Sequence, residues 1–168
     1  GVLIDQDQEN ADKGKDYSVK LLDKALSRKK TTEEKKAKLL SLITPTTDYA
    51  LLKGADLIVE AVFENREIKA EVTAKAEAQI TEGAVFGSNT STLPITGLAE
   101  NSLRPDNFIG IHYFSPVEKM PLVEIIMGEK TSQETLAKTM DYVQKIRKTP
   151  IVVNDSRGFY TSRVFGTY

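Results

Sequence analysis

No cysteine and no tryptophan occur in these 168 residues, and histidine occurs once. Without cysteine the chain can form neither a disulfide nor a thiolate metal site. A single imidazole excludes the multi-histidine centres that bind zinc. No apolar run approaches the roughly 20 residues that a membrane helix needs. The opening "GVLID" lacks the charged leader and the long apolar core of a signal peptide, so a soluble, cytoplasmic protein is expected. Neither sign of charge dominates. The 23 basic and 24 acidic residues leave a net charge of -1, which offers no electrostatic footprint for nucleic acid or an anionic membrane. No two glycines stand one residue apart, so the G-x-G of a dinucleotide-binding turn is missing. The first residue is glycine rather than methionine and lies in what reads as a buried strand. A piece of a longer polypeptide is expected.

What is present alternates between strand and helix patterns. Residues 1–5 read as a short apolar strand ending in Asp5. A helix is expected from about Ala11 to Arg28, with Tyr17, Leu21, Leu22, Ala25 and Leu26 as its apolar stripe. Thr31-x-x-Glu34 is a capping-box pattern that predicts a helix over 32–42, closed by Pro45. "DLIVEAVF" (56–63) is apolar almost throughout, the signature of a strand covered on both faces. The next segment predicts a helix with Ile68, Val72, Ala76 and Ile80 on one side. "AVFGSN" (84–89), "FIGIHYF" (108–114), "PLVEIIM" (121–127) and "PIVV" (150–153) read as further strands. Thr131-x-x-Glu134 opens a helix to about Arg147, with Leu136, Met140 and Val143 inward. This alternation predicts an α/β fold with a mostly parallel sheet. The exception is 108–127, where six residues (115–120) are too few for a crossover helix, so these two strands should pair antiparallel.

That hairpin holds the one histidine, His112, and a carboxylate in an apolar run, Glu124. If the hairpin is symmetric about Glu118, His112 and Glu124 face each other with Cβ atoms roughly 5 Å apart. A carboxylate on one ring nitrogen fixes the tautomer and leaves the other nitrogen as a base. From spacing alone, a lone histidine beside a glutamate is more often structural than catalytic. A carboxylate in a core strand does need a partner or a polar cavity. The ends of three strands carry polar residues: Asp5, Glu64-Asn65 and Ser88-Asn89-Thr90-Ser91. In open α/β sheets ligands bind beyond these carboxyl ends, although the same residue types also serve turns and helix caps. An acid at the position of Asp5 suits a ribose diol and disfavours a 2′-phosphate, hence NAD over NADP.

Four motifs, "VEAVFENREIKAEV", "SNTSTLPIT", "GIHYFSPVEKMPLVEII" and "KTPIVVNDSRGFYTSRV", resemble the NAD-binding domain of 3-hydroxyacyl-CoA dehydrogenases. In detail they are similar to the bacterial multifunctional fatty-oxidation branch. The resemblance runs the length of the chain. It implies a Rossmann-like, doubly wound sheet whose first β-α unit, with the glycine-rich loop, is absent. It further implies a partial NAD-binding domain over 1–154, and over 155–168 the start of a linker to a helical domain that supplies most of a dimer interface. The implied activity is NAD-dependent oxidation of a 3-hydroxyacyl-CoA in β-oxidation, by a homodimer or a larger multienzyme complex. The resemblance casts His112 as the general base, Glu124 as its orienting acid and Ser91 as a hydrogen-bond partner of the substrate oxygen near the nicotinamide. Asp5 would hold the adenosine ribose, and Glu64 and Lys69 would contact the cofactor. Lys24 and Arg28 fall where the family meets CoA phosphates. Ser115 and Ser162 stand where the family's simplest members carry asparagine. Serine keeps a donor and an acceptor with shorter reach; the resemblance puts Ser115 on the cofactor side and Ser162 on the substrate side. A binding or assembly module on the same scaffold, and a dehydrogenase for small hydroxy acids, are the rival readings. The first needs no acid–base pair, and "SNTS" with "HYFSP" does not suit the second.

Overall fold

The structure is a computed structural model that describes residues 1–166. The chain divides into two compact units, Gly1–Leu52 and the remainder from Lys53. In the first, β1 (Val2–Ile4) pairs parallel with β2 (Thr44–Thr46) around α1 (Gln8–Ser27) and α2 (Glu33–Ser41). Asp7 begins α1 by accepting a hydrogen bond from Asn10 N at 2.8 Å. Tyr17 stays 52% exposed, so the buried side of α1 excludes it and centres instead on residues such as Ala11.

The second unit carries a five-stranded sheet in the order β3 (Leu57–Glu60), β4 (Val85–Ser88), β5 (Phe108–Tyr113), β6 (Leu122–Met127), β7 (Thr149–Asn154). All pairs are parallel except β5–β6. The helices are α3 (Arg66–Glu77), α4 (Ile95–Ala99), α5 (Gln133–Lys145) and α6 (Thr161–Phe165). The fold is Rossmann-like: a doubly wound, mostly parallel α/β sheet with one antiparallel hairpin, as the sequence pattern predicts.

Side chains alternate across a strand, and here that alternation separates core from site. Ile109, Ile111, Val123 and Ile125 point to one face and form the main apolar cluster with Val143 of α5. Gly110, His112, Glu124 and Ile126 occupy the other, where α4 packs through Ile95. A Cβ on Gly110 would stand 2.7 Å from Ile95 Cγ1 and 2.9 Å from Ile126 Cβ. The second of these atoms is anchored directly to backbone and cannot swing away. Gly110→Ala is therefore expected to destabilise the chain by roughly 1–3 kcal/mol through overpacking, read as a fall in the urea midpoint with an unchanged slope.

Three local expectations need correction. β3 is an edge strand, and Val59 is 38% exposed, so it is not covered on both faces. Helices α2 and α5 each start one residue later than their capping boxes predict. Thr32 accepts from Lys35 N, and Ser132 accepts from Thr135 N. Two adjacent cap-competent residues stand at each start, and Thr131 is instead used to donate to Phe108 O at 2.6 Å. On α3 the buried residues are Lys69, Thr73, Ala76 and Glu77, while Ile68 is 40% exposed. Of the expected stripe, Ala76 and Ile80 are buried and Val72 is half-buried, while Lys69, Thr73 and Glu77 join the inner face and Ile68 turns outward.

Candidate active site

The symmetric hairpin register is realised: His112 lies opposite Glu124. His112 Nδ1 and Glu124 Oε2 are 2.7 Å apart. Glu124 is fully buried and His112 is 8% exposed. An ionised carboxylate only accepts hydrogen bonds, so with Glu124 ionised the proton of a neutral ring belongs on Nδ1, and Nε2 is the nitrogen that can accept one. The other carboxylate oxygen, Oε1, accepts from the backbone N–H of Thr161 at 2.9 Å. Both oxygens are thus satisfied, which is what burying a charge requires. Phe114 and Phe159 flank the imidazole, with ring centroids 4.5 and 6.1 Å away.

The neighbouring parallel strand, β4, leads into the loop that carries Ser91. Ser91 itself is exposed, three residues past Ser88. Glu64 holds this loop through one oxygen, which accepts from Thr90 Oγ1, from Ser91 N at 3.0 Å, and from Thr92 N and Thr92 Oγ1 at 3.2 Å. Partial burial would raise the Glu64 carboxyl. The Thr90 hydroxyl, the Ser91 amide, the Lys69 ammonium and the Thr92 amide outweigh it and hold the group below the usual carboxylate value.

Beneath the loop lies a second buried pair. Lys69 Nζ donates to both oxygens of Glu60, at 2.9 and 3.1 Å, and to Asn89 O at 3.2 Å. Glu60 also accepts from Ser88 Oγ and Val62 N, both at 2.7 Å. Asn89 in turn accepts from Tyr113 N through Oδ1 at 3.1 Å. The ends of β3, β4 and β5 are therefore tied together by polar groups at the end of the sheet where His112 and Ser91 emerge.

The family description "3-hydroxyacyl-CoA dehydrogenase, NAD binding domain" matches residues 2–156. This chain belongs to the 3-hydroxyacyl-CoA dehydrogenase family. It is 51% identical over 152 residues to the fatty acid oxidation complex subunit alpha of Shewanella amazonensis, a match that covers 90% of this chain and 22% of that protein. Among solved structures, (S)-3-hydroxybutyryl-CoA dehydrogenase from Ralstonia eutropha aligns with a TM-score of 0.94 at 36% identity, covering 98% of this chain and 58% of that one. The 3-hydroxybutyryl-CoA dehydrogenase from Escherichia coli K12 aligns with a TM-score of 0.89 at 28% identity, covering 94% of this chain and 33% of that one. The chain thus spans well under two thirds of the length of these relatives.

Within this 3-hydroxyacyl-CoA dehydrogenase family member, the structure brings together His112 with Glu124, and Glu64 with the Ser91 loop and, at 3.7 Å, with Lys69. Lys69 is 2% exposed, enclosed by its intramolecular partners. Ser115 is exposed in the β5–β6 loop, and Ser162 is half-buried in α6. Asp5, Lys24 and Arg28 belong to the first unit and are exposed. Asp5 stands just past β1 and accepts from Gln6 N, Lys24 lies in the last turn of α1, and Arg28 is that helix's C-cap. Of the stretch 155–168, residues 167 and 168 lie outside the described residues. Sequence reading missed Glu60, Asp155 and the Thr161 amide. For Glu60 the signal existed: it is a carboxylate inside an apolar strand, as Glu124 is. Among the described residues no helix is long and apolar enough to cross a membrane.

Proposed function

We propose that this chain forms the cofactor-binding and proton-transferring part of an NAD-dependent dehydrogenase that oxidises (S)-3-hydroxyacyl-CoA to 3-ketoacyl-CoA in cytoplasmic fatty-acid β-oxidation. The observation that carries this reading is the buried His112–Glu124 pair on a strand of a sheet whose family is that of 3-hydroxyacyl-CoA dehydrogenases. A buried, oriented acid–base pair has little purpose in a module that only binds.

His112 Nε2 takes the proton of the 3-hydroxyl. Glu124 keeps Nδ1 protonated and balances the positive charge that the ring acquires. Ser91, exposed at the end of β4, donates to the same substrate oxygen. When bound, NAD+ supplies the acceptor for the hydride leaving C3. The electron pair leaves with that hydride, the proton goes to His112, and the alcohol becomes a ketone. In the reverse direction the imidazolium returns the proton.

Taken separately, each unit offers a side chain with chemistry that suits such a cofactor. Asp5 offers an exposed carboxylate at a strand end, the chemistry a ribose diol needs. Thr161 Oγ1 is a buried oxygen that the described chain does not satisfy, next to the amide that holds Glu124. The 168 residues contain no G-x-G, so the cradle for a pyrophosphate is not among them. Glu64, Lys69 and Ser115 stand on the cofactor side of this reading. Ser162, Lys24 and Arg28 stand on the acyl-CoA side. The assembly is a homodimer or part of a larger multienzyme complex.

The test is consumption of NADH on adding acetoacetyl-CoA to the intact protein that carries these residues, followed by absorbance. Turnover that depends on both compounds is expected. Saturable binding of NADH without turnover would replace this reading with that of a binding module.

A further inference from the structure

Residues 155–161 leave β7 and are fastened to the second unit at three points. Asp155 accepts from Ile95 N at 2.8 Å through one oxygen, and from Thr96 N at 2.7 Å and Thr96 Oγ1 at 2.5 Å through the other. These donors are the start of α4, whose own N-cap position is Pro94 and offers no side-chain hydrogen bond. Phe159 is 1% exposed, and its ring faces His112. The Thr161 amide donates to Glu124 Oε1. Between Asp155 and Thr161 the backbone takes two left-handed residues, Gly158 at φ +77 and Phe159 at φ +47. The second is not glycine, so the turn is strained and persists only because its flanks hold it.

We infer that Asp155 is a positioning residue for the His112–Glu124 pair, acting through this strap. With its first fastening lost, the strained turn relaxes and the Thr161 amide withdraws. Glu124 is fully buried, so no solvent donor replaces that amide on Oε1. The carboxylate then rotates or shares its oxygens, and His112 loses the fixed partner on Nδ1. The contrasting possibility is that Asp155 does no more than cap α4. In that case its loss lowers stability and leaves the histidine untouched. The inference deepens the dehydrogenase reading but is tested without cofactor or substrate, so the failure of either is separable from that of the other.

The single histidine makes the test direct. In the 168-residue chain labelled with 15N-histidine, one imidazole gives all ring signals. The Nδ1 proton, held by a buried carboxylate, should exchange slowly with solvent. Asp155→Asn is expected to accelerate that exchange at least ten-fold while the backbone amide spectrum stays folded. Glu77→Gln serves as the control: it removes a buried carboxylate that accepts from Ser102 Oγ and Leu103 N, outside the strap, and should leave the exchange unchanged. If Asp155→Asn melts earlier yet exchanges like the parent chain, Asp155 is a helix cap only and the inference falls. Should that variant fail to fold, Thr96→Val removes one of the three donors to Asp155. A smaller acceleration is expected there, and none would overturn the proposal.

Discussion

Replacing His112 with alanine is expected to lower kcat for NADH-dependent reduction of acetoacetyl-CoA by roughly 10²–10⁴-fold, the range a positioned general acid–base supplies. The measurement is steady-state kinetics on the intact protein, with the KM for NADH recorded alongside. The base acts on the reacting hydroxyl, not on the cofactor, so that KM should hold. Truncation leaves the buried Glu124 carboxylate with the Thr161 amide as its remaining partner, so some loss of stability is expected and the variant's melting is recorded beside its kinetics. Glu124→Gln should also lower kcat. The amide can offer its NH₂ to Nδ1, which favours the tautomer with the proton on Nε2, the wrong nitrogen for a base. The loss without the carboxylate is then one of tautomer and charge balance, as in other oriented histidines. An alanine variant that retains half of the parent kcat would remove His112 from the chemistry altogether.

That pair was legible before the structure because a hairpin obeys simple arithmetic. Two strands joined by a short loop must run antiparallel, side chains alternate with a period of two, and residues equidistant from the turn face each other. His112 and Glu124 needed nothing else, and the register found is the one so expected. The order of strands and helices was readable for a similar reason, since apolar runs and helical spacing are local properties. What escaped depends on contacts between distant parts of the chain. Asp155 caps a helix that begins 60 residues earlier, and no local pattern shows a cap supplied from so far away. The Thr161 donor is a backbone N–H, which every residue but proline has, placed by a positive φ at Phe159 that its residue type does not announce. The inner face of α3 was legible in part: Ala76 and Ile80 are buried as the spacing predicts, but Lys69 and Glu77 look like solvent-facing residues and are buried too. Periodicity assigns charge to the outside, and a buried ion pair defeats it. Glu60 was the available warning: a carboxylate in an apolar strand calls for a cation, and the lysine nine residues on, one turn into the next helix, is that cation.

The buried Glu60–Lys69 pair carries the largest expected effect on stability. Lys69→Met keeps most of the length and the apolar character of the stem and deletes the charge. Glu60 then remains in the core at 3% exposure with no cation. Removing one partner of a buried pair typically costs about 3–5 kcal/mol, because the orphaned charge bears its full desolvation penalty. Ser88 Oγ and Val62 N still donate to Glu60, which places the expectation at the lower end of that range. The loss is large against the roughly 5–15 kcal/mol that a folded domain has in total. It should appear in urea unfolding of the 168-residue chain as a midpoint shift with little change in slope. The double variant Glu60→Gln, Lys69→Met separates the charge from the packing. It removes the orphaned carboxylate while keeping its shape, and the amide oxygen of the introduced glutamine can still accept from Val62 N or Ser88 Oγ. Much of the lost stability should return, since the penalty comes from an unpaired charge and not from a missing attraction. If the double variant is no more stable than Lys69→Met, then the lysine contributes through its donors to Asn89 O and Val62 O and through its packing. The ammonium would in that case fasten the loop before Ser91 directly, with the pairing to Glu60 secondary.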